Sequence, residues 1–239
     1  MARLTFFLKL TTVLIVSMHL KASAQLAIGI EGGYSTNYFK SNVTATLTEK
    51  STLPGYAATV WLQYSPYRLF ALQAGAQILN KNHELRRTGA MTGTFQSIYN
   101  TYIQIPVTGQ IQARYKKITV YCKLGAYGGY WVAGKIKGKI PNILNSYSTT
   151  NGDRTVTDYF IFTPYNEKYT FQAKKDQRFE FGFVTGAGLL YSITNRLSVN
   201  ASATYYHALT SQQKRYNKDV TPGYNRTIYI SAGTMIALH

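Results

Sequence analysis

From residue 25 onward, apolar and polar positions alternate with a period of two. Leu26, Ile28 and Ile30 interleave with Ala27, Gly29 and Glu31. Phe70, Leu72, Ala74, Ala76 and Ile78 interleave with Ala71, Gln73, Gly75 and Gln77. Phe179, Phe181 and Phe183 alternate with Glu180, Gly182 and Val184, and Ile228, Ile230, Ile236 and Leu238 share one parity. Successive side chains of a strand point to opposite faces, so this pattern predicts strands with one apolar and one small or polar face. Eight such segments are expected, at about 25–34, 55–64, 68–79, 98–111, 118–132, 179–191, 197–206 and 227–238.

The connections alternate in length. Ser65–Tyr67, Gln112–Lys117 and Ser192–Arg196 are short; Ser35–Pro54, Asn80–Ser97, Ala133–Arg178 and His207–Arg226 are long. Short periplasmic turns alternating with longer extracellular loops is the rule of outer-membrane barrels, and an even strand number puts both ends of the barrel in the periplasm. The expected fold is therefore all-β: an eight-stranded antiparallel transmembrane barrel. A soluble lipocalin-type barrel would alternate in the same way but with its apolar side chains inside. The small face here is rich in Gly, Ala, Ser, Thr and Gln and carries Glu31, Lys123 and Glu180, an unsuitable lining for an apolar ligand. These three charges are expected to point into the lumen, with Lys123 hydrogen-bonded to a Tyr, Gln or carboxylate acceptor, because a buried charge needs a partner. Pro106 falls inside a strand of a closed sheet, where it removes a ladder hydrogen bond, so a bulge is expected there.

Residues 1–24 read as a cleaved signal peptide, leaving 25–239 as the barrel domain. Arg3 and Lys9 precede a short apolar stretch, and Ala22-Ser23-Ala24 offers small residues for cleavage. The stretch is interrupted by Thr11, Thr12, Ser17 and His19 and is too short to span a bilayer. Charged residues make up only 15% of the chain, against about 25% in typical soluble domains. A single cysteine excludes a disulfide framework and a cysteine-based zinc site.

Four ordered motifs carry a family resemblance. Tyr102-Ile103-Gln104-Ile105-Pro106 is followed by the glycine-rich Val120–Tyr130. Then come Phe179-Glu180-Phe181-Gly182 with Gly186-Ala187-Gly188, and Tyr205-Tyr206-His207-Ala208-Leu209. Together they resemble the PorT-like outer-membrane β-barrel proteins of Bacteroidetes. Ala208 departs from the Gly usual in that family, and His239 from its terminal aromatic. The resemblance implies fold and outer-membrane location, after Sec-type export, and leaves the chemistry open.

Candidate chemistry is sparse. His207 and Ser211 could serve as base and nucleophile of an outer-membrane lipid-modifying enzyme, but no nearby carboxylate completes the arrangement, and a non-catalytic surface role is expected. A small gated pore is a further alternative, set against the tendency of eight strands to be filled by their own side chains. The four dispersed histidines offer no metal spacing, no cofactor motif is present, and Cys122 is expected on the apolar face. The formal charge is +17, or +14 without Arg3, Lys9 and Lys21. Export argues against nucleic acid as the partner; outer-membrane lipid and lipopolysaccharide are the nearer anions, and the barrel is expected to be a monomer. Within the longest loop Lys135, Lys137 and Lys139 share the parity of Lys123, while Lys174 and Arg178 share that of Glu180. This parity predicts a cationic face over the barrel mouth.

Overall fold

The computed structural model describes residues 25–41, 48–151, 154–215 and 221–238, with side chains outside 90 and 142–161. Both the expected signal segment and His239 lie outside the described residues. The strands are β1 (Gln25–Ser41), β2 (Thr48–Thr52), β3 (Pro54–Tyr67), β4 (Phe70–Asn80), β5 (His83–Arg87), β6 (Phe95–Tyr115), β7 (Ile118–Asn151), β8 (Arg154–Lys168), β9 (Phe179–Ser192), β10 (Leu197–Ala208) and β11 (Gly223–Ala237).

Eight of these strands close on themselves in antiparallel order: β1, β3, β4, β6, β7, β9, β10, β11 and back to β1. They coincide with the eight segments read from the alternation. Register partners can be followed once around the ring, from Leu26 through Tyr64, Leu72, Gly109, Leu124, Thr185, Tyr205 and Ile228. The path returns to β1 at Thr36, ten residues above its start. That stagger tilts the strands by about 40° and leaves a lumen only wide enough for side chains.

The burial pattern is inverted relative to a soluble domain. Ile30, Val60, Ile78, Ile103, Leu124, Phe181 and Ile230 are exposed on the outer face. Glu31, Thr59, Gln77, Gln104, Lys123, Asn200, Ser202 and Thr227 are buried. Cys122 is exposed on the outer face. Glycines make room for the filling: a Cβ on Gly29 would stand 2.4 Å from the buried Trp61 ring.

Pro106 does not create the expected bulge. The β4–β6 register is the same on both sides of it, Ala74 with Val107 and Gln77 with Gln104, and only the two intervening pairs are lost. The sheet absorbs the missing donor locally, opposite Gly75 with no side chain to displace. The register shift in this part of the barrel lies instead between Tyr64 and Tyr67, at Ser65-Pro66 beside a two-residue turn. The opposite hairpin turns at Lys116, whose φ of 52° is left-handed.

Beyond the membrane, several segments expected to be loops are sheet. β7 runs on to Asn151, β8 returns beside it, and β5 pairs with both β6 and β2. A second register shift falls where β7 leaves the barrel: Tyr102 faces Trp131, but Thr101 faces Ala133. Val132 is therefore an extra residue, and it exchanges the two faces of β7.

Candidate functional site

The outer mouth holds a connected network of buried polar contacts. On β4 the odd positions point inward, and the chain keeps that parity past the strand end, so Lys81 turns into the lumen. Its segment is pinned from both sides: Lys81 N donates to Asn100 O at 2.8 Å, Ser35 Oγ to Asn80 O at 2.9 Å and Asn82 Nδ2 to Pro54 O at 2.7 Å. The Lys81 ammonium, fully buried, pairs with Oε1 of Glu180 and lies over the rings of Tyr102 and Tyr127, 4.7 and 4.9 Å from their centroids.

The carboxylate is saturated with donors. Tyr127 OH donates to Oε1 at 2.8 Å and Asn225 Nδ2 to Oε2 at 2.7 Å. Asn225 accepts in turn from Asn37 Nδ2 at 3.0 Å, and Asn37 from Thr227 Oγ1 at 2.8 Å. The network thus joins β1, β6, β7, β9 and β11 to the segment after β4. An ion pair withdrawn from water persists only when its remaining lone pairs and protons are matched in this way.

An aromatic cap covers the network. Tyr102 stacks with Trp131 (centroids 6.1 Å), which stacks with Tyr169 (5.1 Å) and meets Phe171 edge-on at 4.8 Å. The 169–178 segment is held down by Asp176, whose carboxylate accepts from Tyr169 OH at 2.7 Å and Gln172 N at 2.6 Å. It docks on the loop after β10 through Gln177 N to Gln212 O at 3.0 Å and Lys214 N to Lys175 O at 2.8 Å. Deeper in the barrel, Gln77 Nε2 donates to Thr59 Oγ1 at 2.8 Å, Gln104 pairs with Gln77, and Tyr127, Tyr206 and Tyr229 fill the next layer.

The residues singled out from sequence divide into three groups. Glu31, Lys123 and Glu180 are all buried on the inner face. Glu31 Oε2 accepts from Asn200 Nδ2 at 3.1 Å. Lys123 differs from its expectation: it makes no hydrogen bond among the described residues, and its charge is set against that of Glu31 across a small void that both line. The reason is geometric, since its stem lies along the wall by Gly186 and ends short of an acceptor.

Lys135, Lys137 and Lys139 do not overlook the lumen. After the Val132 bulge it is Gly134 and Ile136 that stand opposite the buried Asn100 and the half-buried Ile98, while the lysines stand opposite Tyr99, Ser97 and Phe95. All three are exposed, and Lys137 lies over the Tyr99 ring at 5.5 Å. Lys174 is exposed on the docked segment. Arg178 is a rim clamp: its guanidinium is sandwiched between Tyr130 (4.4 Å) and Phe171 (4.1 Å), and Nε donates to Trp131 O at 3.0 Å. One inserted residue reverses every face beyond it, so the lysines expected over the barrel mouth stand outside it.

His207 and Ser211 are not brought together. His207 stacks on the outward Phe183 and bonds Tyr205 OH through Nδ1 at 3.1 Å. Ser211 Oγ accepts from Gln213 N at 3.2 Å and Gly223 N at 3.1 Å, which is loop capping. Among the described residues no group of His, Cys, Asp and Glu could hold a metal ion. Sequence reasoning overlooked Lys81, assigning it to a loop. Its signal was available, because Lys81 continues the inward series Gln73, Gly75, Gln77, Leu79.

No curated protein matches the chain. Among solved structures it is similar to Neisserial surface protein A (11% identity, 90% of this chain and 98% of that one, TM-score 0.44). It is also similar to OprG of Pseudomonas aeruginosa (10%, 89% and 96%, TM-score 0.47) and to the outer membrane protease OmpT of Escherichia coli (8%, 90% and 97%, TM-score 0.46). The closed ring, the apolar outer face and the polar lumen are what a lipid-embedded barrel requires. A family model described as outer membrane protein beta-barrel domain matches residues 21–213, and with that the chain belongs to this family of outer-membrane barrels.

Proposed function

We propose that this barrel is a non-conducting, non-catalytic component of the cell surface, of the PorT-like type, whose extracellular sheet binds lipopolysaccharide. The observation that carries the reading is the closed mouth. Lys81, Glu180, Asn225, Tyr102 and Tyr127 fill the lumen under Trp131, so a hydrated solute has no continuous path. The separation of His207 from Ser211 supports a role without catalysis.

The outer-face row Lys135, Lys137 and Lys139, with Lys168 paired across from Lys135, supports the lipid contact. Lys135 stands five residues above the rim aromatic Tyr130, or about 12 Å along the barrel axis at this tilt, level with the phosphorylated sugars of the outer leaflet. Ammonium groups on the outside of the sheet meet that layer directly, and their attraction falls with salt.

Purified barrel in planar bilayers should show no discrete conductance steps; steady ion conductance by the wild type would overturn the closed reading. Binding of purified lipopolysaccharide should weaken in a salt-sensitive way in the Lys135→Gln, Lys137→Gln, Lys139→Gln variant. Unchanged affinity would remove the lysine row from the proposal.

A further inference from the structure

The alternation that fills the lumen also fixes which polar side chains stand on the lipid-facing wall. On β11 the odd positions Asn225, Thr227 and Tyr229 are buried, so the even ones, Arg226, Ile228 and Ile230, face outward. Arg226 is directly opposite Tyr38 of β1 on one side and His207 of β10 on the other, and both belong to the outward set of their strands. The register gives the height. Leu197 pairs with Ile236 and His207 with Arg226, a rise that at this tilt is about 25 Å, the depth of the apolar band. Arg226 and His207 therefore stand at the outer margin of the membrane, on strands separated from the lysine row of β7 by β9.

Arg226 is half-buried there, and its Nε is enclosed without a hydrogen-bond partner. No described carboxylate reaches it. The acidic residues of β9, β10, β11 and β1 are Glu180 and Glu31 alone, and both lie inside the lumen, engaged by Lys81 and Asn200. His207 beside it is half-buried too, stacked on Phe183 at 4.8 Å and bonded through Nδ1 to Tyr205 OH at 3.1 Å. When that hydroxyl donates, the ring proton resides on Nε2 and can be donated in turn. Arg226 and the exposed Lys40, two residues beyond Tyr38, both act electrostatically on this ring. A guanidinium with an unmatched donor, an imidazole and an ammonium are thus gathered at one level of the wall, and a donor withdrawn from water without a partner is costly.

We infer that Arg226 and His207 form a seat for the phosphate of an outer-leaflet lipid. The planar guanidinium matches a phosphate through two parallel hydrogen bonds. The imidazole N–H supplies a donor from the neighbouring strand, and Lys40 adds positive charge from the side where the headgroup lies. Position selects a lipid over a soluble anion. Ile228 below Arg226 and Phe183 beside His207 are exposed on the same wall, so the bound group is one that brings an apolar body to cover them. Tyr38, also exposed, belongs to the aromatic girdle found at this depth. The inference shares with the proposed function only the class of lipid: the lysine row acts by charge above the membrane, whereas this seat holds one phosphate at its margin.

The test is nuclear magnetic resonance of the barrel, isotope-labelled at histidine, in a glycoside detergent that carries no phosphate, titrated with bisphosphorylated lipid A. The His207 ring signal should shift in the wild type. The Arg226→Gln barrel should need about tenfold or more lipid for the same shift, while still moving on gels after heating as a folded barrel does. Lipid A stripped of its phosphates should leave the signal in place, and this arm decides the matter if Arg226→Gln does not fold. No shift in the wild type, an equal shift with the stripped lipid, or unchanged affinity in Arg226→Gln overturns the inference. Inorganic phosphate acting at the same concentration as lipid A overturns the lipid assignment in favour of a soluble anion. The Lys135→Gln, Lys137→Gln, Lys139→Gln barrel should keep the shift at the wild-type lipid concentration, so the seat and the lysine row fail separately; loss of the shift in that variant overturns the assignment to Arg226 and His207.

Discussion

The two ends of this barrel use charge in opposite ways. At the outer mouth the cation Lys81 is sealed from water and held by a carboxylate, two aromatic faces and the strands around it. At the inner end Arg68, Arg114 and Arg196 are exposed around a polar cup, with no carboxylate among the described residues of its lining. Both ends belong to the same lumen and follow the same alternation, so the contrast is a matter of exposure to water. A buried charge is tolerable only when paired, and once paired it is unavailable to a ligand. A charge at an open rim stays hydrated and contributes little to stability.

The contrast can be broken most forcefully at Glu180. Replacing Glu180 with Ala strands Lys81 in the lumen without its counterion, and the barrel should lose about 3–5 kcal/mol. This would be read as a lower temperature for the heat-induced gel shift; a shift unchanged within error would mean the pair is not structural. Lys81→Met alone strands the Glu180 carboxylate in turn and should also destabilise the barrel, whereas added to Glu180→Ala it removes the unpaired charge and should partly rescue that barrel. Next comes the cap. Trp131→Ala removes the ring between Tyr102 and Tyr169 and should destabilise by about 3 kcal/mol. It should also expose the 169–178 segment to protease, and unaltered cleavage there would detach the cap from the plug.

Acid should loosen the outer end selectively. His83, on β5 beyond the membrane, stacks on Phe39 with centroids 4.5 Å apart, and burial, aided by the charge of Lys50, pushes its pKa down to about 4. The unfolded value is higher, about 6.5, so the stability this neutral ring supports is complete above pH 6.5 and is lost as pH falls toward 4. At pH 5.5 the local loss is on the order of 1 kcal/mol. Hydrogen exchange should show the β5 amides losing protection over that window, and His83→Phe should flatten the dependence. The smallest effect belongs to the other end: changing Arg68 and Arg114, both exposed, to Gln should alter barrel stability by no more than about 0.5 kcal/mol. A large loss would show that the arginines hold the cup together.

What could be read from the chain alone follows from the fixed period of a strand. Alternation with one apolar and one polar face located all eight membrane segments, and the rhythm of short and long connections oriented them. The same arithmetic set Glu31, Lys123 and Glu180 on the polar parity, because no long-range information is needed to say which residues share a face. It also contained Lys81, had the series of β4 been carried one turn further.

Three things were decided only by tertiary structure. Whether parity persists depends on bulges, and the extra residue Val132 turned Lys135, Lys137 and Lys139 away from the lumen. Partners depend on the stagger of the ring, which brings Lys81 to Glu180 and Asn37 to Asn225 across long separations in sequence while leaving Lys123 without a hydrogen bond among the described residues. Whether an end is open or closed depends on whether a segment folds back over it, as 169–178 does above the plug and no described segment does below. Period fixes which way a side chain points; closure of the sheet fixes what it meets.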